Sequence, residues 1–158
     1  MNSKAAGFTL VELMVVIAIF AILTAIAVPN VSAWLASHRL SSSARDVYSM
    51  LQLSRLKAVK ENANVCISFN STGYMSFVDS GVGGGGESDG VQNGTEPTVY
   101  SGTYEIGVSF AGITVPQLWY STRGFPSSPF GTTLTIQNQE GKRKVITLSS
   151  VGRVTITD

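Results

Sequence analysis

The sequence predicts an α+β molecule: one long N-terminal helix, membrane-spanning in its first half and amphipathic in its second, packed on a C-terminal domain of antiparallel β-sheet. Three observations carry this. A 21-residue apolar run, Phe8 to Val28, is interrupted by one charge, Glu12. An apolar stripe at helical spacing follows Pro29, and from Val65 onward the periodicity changes to short runs separated by turn residues. The expected organisation is a leader over residues 1–7, a spanning helix over 8–29, its amphipathic continuation over 30–62, and a β-rich domain over 63–158 carrying a flexible glycine-rich loop at 80–97.

The apolar run comes first. At about 1.5 Å per residue it forms roughly 31 Å of helix, enough to cross a hydrocarbon core of about 30 Å. A carboxylate near the start of such a span is costly in lipid and is by default a functional residue with a partner to be named. The cation at hand is an amino terminus. If the chain is cut after Gly7, Phe8 gains an α-amino group, largely protonated near neutral pH, about one helical turn from Glu12. The equivalent amine of a neighbouring subunit would answer the carboxylate and set the register between the two. The other reading of the run is a conventional secretory signal cleaved at a small-residue site such as Ala25 or Ala27, which leaves Glu12 without a purpose.

Past Pro29, Leu40, Ala44, Val47, Tyr48, Leu51 and Ala58 recur on one helical face, with Arg45, Asp46 and Lys57 off it. The helix is expected to stop at the Asn62-Ala63-Asn64 stretch, and Pro29 to bend it by removing one backbone hydrogen bond. Strands are expected at Val65 to Phe69 and Tyr74 to Val78 around a turn at 71–73, then at Thr98 to Phe110 and Leu118 to Tyr120. Further strands are expected at Thr132 to Ile136 and Lys144 to Leu148 around Asn138-Gln-Glu-Gly141, and at Val154 to Ile156 after Ser150-Val-Gly152.

Gly7-Phe-Thr-Leu-Val-Glu12, the apolar stretch behind it and Pro29 together resemble the type IV pilin and type II secretion pseudopilin signature. The resemblance implies a prepilin peptidase that cuts between Gly7 and Phe8 and methylates the new Phe8 amine, with Glu12 as the assembly glutamate and Pro29 as the helix-bending proline. Downstream, residues 51–63, Trp119-Tyr-Ser-Thr-Arg-Gly124 and Gly141-Lys-Arg-Lys to Val154 resemble the GspH/FimT family of minor pilins and pseudopilins. The implied role is mechanical: a minor pseudopilin of a type II secretion pseudopilus, stored in the bacterial inner membrane as a single-pass protein with its C-terminal domain in the periplasm. Its implied partners are prepilin peptidase, other pilin or pseudopilin subunits met through the N-terminal helix, the inner-membrane assembly platform and, before assembly, the lipid bilayer. Two alternatives stand beside it: a FimT-like minor pilin acting in type IV pilus biogenesis or DNA uptake, and a signal-anchored periplasmic binding domain that never polymerises.

Composition excludes much else. With 11 basic and 10 acidic residues, net charge names no partner. A single cysteine, Cys66, excludes an internal disulfide, and a single histidine, His38, leaves no His/Cys metal set. No cofactor and no enzymatic activity are expected, because the carboxylates are scattered without a close pair. Gly81, Gly83 and Gly86 satisfy G-x-G-x-x-G, but no helix pattern follows, and Glu87 and Asp89 would repel phosphate. Lys142, Arg143 and Lys144, with Arg153 and Arg123, form the one candidate nucleic-acid surface. Alternation along a strand splits the first three between two faces, and Thr155 stands where some FimT-type members carry a second tail arginine, so nucleic acid is not an expected partner.

Overall fold

A computed structural model describes residues 7–80, 90–94, 96–115, 117–127 and 131–158, and of Pro29 the backbone alone. The glycines of the G-x-G-x-x-G pattern, most of the expected 80–97 loop and most of the leader lie outside the described residues. By contacts the chain divides into two compact units, Met1–Leu35 and Ala36–Asp158.

One helix, α1, runs from Leu10 to Glu61, and eight strands follow: β1 Val65–Phe69, β2 Gly73–Val78, β3 Thr98–Thr103, β4 Val108–Ile113, β5 Leu118–Tyr120, β6 Thr132–Asn138, β7 Arg143–Leu148 and β8 Val154–Thr157. In its apolar part α1 has mean hydropathy 2.8, and none of the residues there is buried. It continues through Pro29, which has no N–H to offer the carbonyl of Ala25. Next to it, Asn30 Nδ2 donates to the Ile26 carbonyl at 3.2 Å. The helix ends where Asn62 adopts a left-handed backbone, φ 50°. There Ala63 N–H bonds back to the Ala58 carbonyl at 3.2 Å, a Schellman closure that uses asparagine in place of the usual glycine.

The strands form two four-stranded antiparallel sheets, ordered β3-β2-β1-β5 and β4-β6-β7-β8. The expected run Thr98 to Phe110 is two strands, one in each sheet. The chain leaves β3, buries Tyr104, hands the Glu105 N–H to Ser43 Oγ at 3.0 Å, and turns at Gly107 with φ 83°. A helix hydroxyl therefore holds the crossover between the sheets.

Both sheets contribute to one core with the second half of α1. Leu40, Ala44, Val47, Met50, Leu51 and Ala58 meet Val65, Tyr74, Tyr120, Leu134, Ile136, Ile146 and Leu148 there. Of the expected stripe, Tyr48 is displaced: it is 38% exposed, and Met50, fully buried, occupies the covered face. Ser43 and Ser54 are buried on the same face, and Ser54 Oγ satisfies itself on the Met50 carbonyl at 2.7 Å. Phe69 of β1 and Phe110 of β4 stack across the sheets with ring centres 5.7 Å apart.

Arg55 links helix and sheet. Its Nη1 donates to the Gly152 carbonyl at 3.1 Å, and a Cβ at Gly152 would lie 2.9 Å from the guanidinium carbon. A Cβ at Gly124 would meet Val59 Cγ2 at 2.8 Å. Both glycines have positive φ, 76° at Gly124 and 82° at Gly152, so the helix approaches two turns whose backbones only glycine forms without strain. The three segments that carry the downstream resemblance, 51–63, 119–124 and 141–154, thus converge on one side of α1.

Candidate functional site

The N-terminal segment is where a chemical role concentrates. Gly7 is exposed, its φ is not in the left-handed region, and a Cβ built on it would meet nothing within 4 Å. Among the described residues, nothing crowds that position. Phe8 beside it is 92% exposed. Thr9 is the N-cap of α1 and forms a reciprocal capping box with Glu12. Thr9 N–H and Oγ–H both donate to Glu12 Oε2, at 2.9 and 2.8 Å, and Glu12 N–H donates to Thr9 Oγ1 at 3.3 Å.

This box adds a residue that sequence reasoning overlooked. The sequence points Glu12 to an external partner, whereas the threonine one turn back already holds one carboxylate oxygen. The T-x-x-E spacing at 9–12 was a readable capping pattern. Holding Oε2 fixes the rotamer of the side chain and keeps its charge at the helix N-terminus, where the dipole favours an anion. Behind it the residues from Leu10 to Val28 form an apolar surface exposed all round, among them Phe20 at 62% and Ile26 at 64%. An uncovered face of this kind requires lipid or other helices around it.

Lys142, Arg143 and Lys144 line one cleft together with Ser37, Leu40 and Asp158, against the expected split between two faces, while Arg123 and Arg153 are not part of it. Lys142 lies 3.6 Å from Glu140, and Lys144 pairs with Asp158. Arg143 opens β7, while Arg153 stands in the turn beyond its far end at Leu148. At about 3.3 Å per residue, the two ends of β7 are some 17 Å apart. Trp119 is partly exposed, but its neighbour Tyr120 is fully buried, with burial pushing its hydroxyl above the ordinary phenolic range and Arg55 opposing that shift. Cys66 is buried with Sγ 3.0 Å from Asp79 Oδ2.

The model of the prokaryotic N-terminal methylation motif matches residues 2–28. That of the type II transport protein GspH matches residues 43–152. The chain belongs to the GspH family. No curated protein matched this GspH-family chain. Among solved structures, its fold resembles the type IV minor pilin FimU of Pseudomonas aeruginosa, with TM-score 0.58 and 19% identity over 77% of this chain and 90% of that one. It also resembles the minor pseudopilin EpsH of the type 2 secretion system of Vibrio cholerae, with TM-score 0.55 and 16% identity over 75% of this chain and 96% of that one. The fold is pilin-like.

Proposed function

We propose that the chain is a minor pseudopilin of a type II secretion pseudopilus, cut between Gly7 and Phe8 by prepilin peptidase, methylated on the Phe8 amine and assembled with other pseudopilin subunits through α1. Before assembly it is anchored in the inner membrane by residues 8–28, with its β-rich domain in the periplasm. The observation that carries this reading is the pairing of two family models on one chain, the methylation motif over 2–28 and GspH over 43–152. The structure supports the processing step by contrast: among the described residues nothing crowds Gly7, so the need for a residue without a side chain lies with whatever binds it.

Glu12 is the registration charge in this reading. Thr9 takes one carboxylate oxygen, Oε2, and in this reading a neighbour's Phe8 ammonium answers the charge of the carboxylate during assembly. Pro29 is the position at which the helix gives up a backbone bond and adjusts its direction.

A second reading, a minor subunit of a type IV pilus, is supported by the likeness to FimU. Deletion separates the two machines. Loss of protein secretion with surface pili intact supports the pseudopilus, and the reverse phenotype supports the pilus. Intact mass of the membrane-extracted chain tests the shared premise: a mature protein starting at Phe8 with one added methyl is expected, and a start after Ala25 or Ala27 would replace both readings with a cleaved secretory domain.

A further inference from the structure

At the C-terminal end of α1 lies a cleft of about 280 Å³ lined by Asn62, Ala63, Asn64, Asp79, Ser80 and Thr122. Asp79 is 1% exposed. Its Oδ2 accepts from the Cys66 thiol at 3.0 Å and from Gly90 N–H at 3.1 Å, and its N–H donates to the Asn64 carbonyl at 2.9 Å. Its Oδ1 is buried without a hydrogen-bond partner, the only carboxylate oxygen in that state among the described residues.

Glu96, the other buried carboxylate of this region, shows what a satisfied one looks like: Oε1 takes Ser80 N–H at 3.0 Å and Oε2 takes Asn93 N–H at 2.9 Å. Asp79 has a thiol, which is a weak donor, and one amide, both on the same oxygen. A buried carboxylate left so short of donors is costly, and an orphaned group in a native fold points to a water or ion not yet accounted for. The remaining lining is rich in neutral oxygen: the side chains of Asn62, Asn64, Ser80 and Thr122. In addition, α1 ends at the cleft with the negative end of its dipole, which favours a cation.

We infer that this cleft is a weak Ca²⁺ site, with Asp79 as its charged ligand and Asn62, Asn64, Ser80 and Thr122 supplying neutral oxygens. All candidate donors are hard, as Ca²⁺ prefers. An irregular set drawn from a helix end, a strand end and a loop suits its flexible coordination better than the strict octahedron of Mg²⁺. Among the described residues no three His, Cys, Asp or Glu side chains converge anywhere, so softer metals have no comparable site. One carboxylate implies half-saturation in roughly the 10⁻⁴ to 10⁻³ M range typical of extracellular modules.

The test is thermal unfolding of the full-length chain in detergent micelles, stripped with EDTA and then titrated with Ca²⁺ or Mg²⁺. Saturating Ca²⁺ is expected to raise the midpoint by about 3–6 °C, and Mg²⁺ at equal concentration by much less. Asp79→Asn should abolish the Ca²⁺ shift. Asn62→Gly keeps the left-handed cap while removing one amide oxygen, and Thr122→Val removes one hydroxyl; each should weaken the response about threefold or more. A wild-type midpoint unmoved by 10 mM Ca²⁺ (about ten times the weak end of that range), or an Asp79→Asn chain that responds fully, overturns the site. Should Asp79→Asn fail to fold, unchanged Ca²⁺ responses in both Asn62→Gly and Thr122→Val overturn it equally.

Discussion

Gly7, Thr9 and Gly152 show three different reasons for a residue's identity. Gly7 has open space around it, so Gly7→Leu is expected to leave the melting midpoint of the chain unchanged while the uncut precursor accumulates in the membrane. Intact mass and a melting curve on the same sample decide this, and normal processing of Gly7→Leu would contradict it. Thr9 is needed for what it does to Glu12. Thr9→Val keeps the shape but loses the hydroxyl, and is expected to lower incorporation into filaments in the same direction as Glu12→Val, with membrane insertion and folding intact. Co-purification with filaments at equal expression measures both. Gly152 is needed for geometry: with φ 82° and Arg55 already 2.9 Å from any added carbon, Gly152→Ala is expected to cost about 1–3 kcal/mol. Because the strain is shared with Arg55, the Arg55→Ala/Gly152→Ala double variant should fall short of the sum of the single losses, as read by chemical denaturation.

Among the elements, the β6–β7 hairpin rests on one side chain. Asn138 is 5% exposed, and its Oδ1 accepts from the N–H groups of Glu140 and Lys142 at 3.1 and 2.9 Å while Gly141 takes φ 80°. Asn138→Ala leaves those donors to solvent and is expected to destabilise by about 1–3 kcal/mol, with amide exchange rising first at the turn. This hairpin was fully readable from sequence, since its alternation and its Asn-x-x-Gly turn are local features. So was the helix stop at Asn62. The division of Thr98–Phe110 into β3 and β4 was not, because nothing in the alternation of that run shows a break. The break comes from Ser43, 62 residues away, capturing the Glu105 amide. For the same reason Met50 and Tyr48 were exchanged: both fit a helical stripe, and only the position of the two sheets decides which one is covered.

For the whole molecule, the N-terminal methylation motif was legible because it is contiguous in sequence, whereas the hold of Thr9 on Glu12 went unread although its spacing is local. Lys142, Arg143 and Lys144 do share a cleft, but two of them have acidic neighbours, and Arg153 stands beyond the far end of β7. Duplex DNA is accordingly expected to bind no tighter than roughly 10⁻⁴ M at physiological salt. A fluorescence titration that found low-micromolar, salt-sensitive affinity, lost on Arg153→Ala, would move the chain to a DNA-handling pilus. In the proposed assembly, by contrast, packing should depend on the apolar residues from Leu10 to Val28, none of which is buried.

The burial of Cys66 makes that surface experimentally accessible. It is the chain's one thiol, 2% exposed and with its sulfur on Asp79, so reagents applied to the folded protein will leave it unmodified on the timescale of surface labelling. A cysteine introduced along α1, at Ile17 or Leu23 for example, becomes the single reactive handle without prior removal of the native one. If the chain assembles as proposed, disulfide trapping between such positions on adjacent subunits maps the helix-to-helix register one residue at a time, in otherwise native protein.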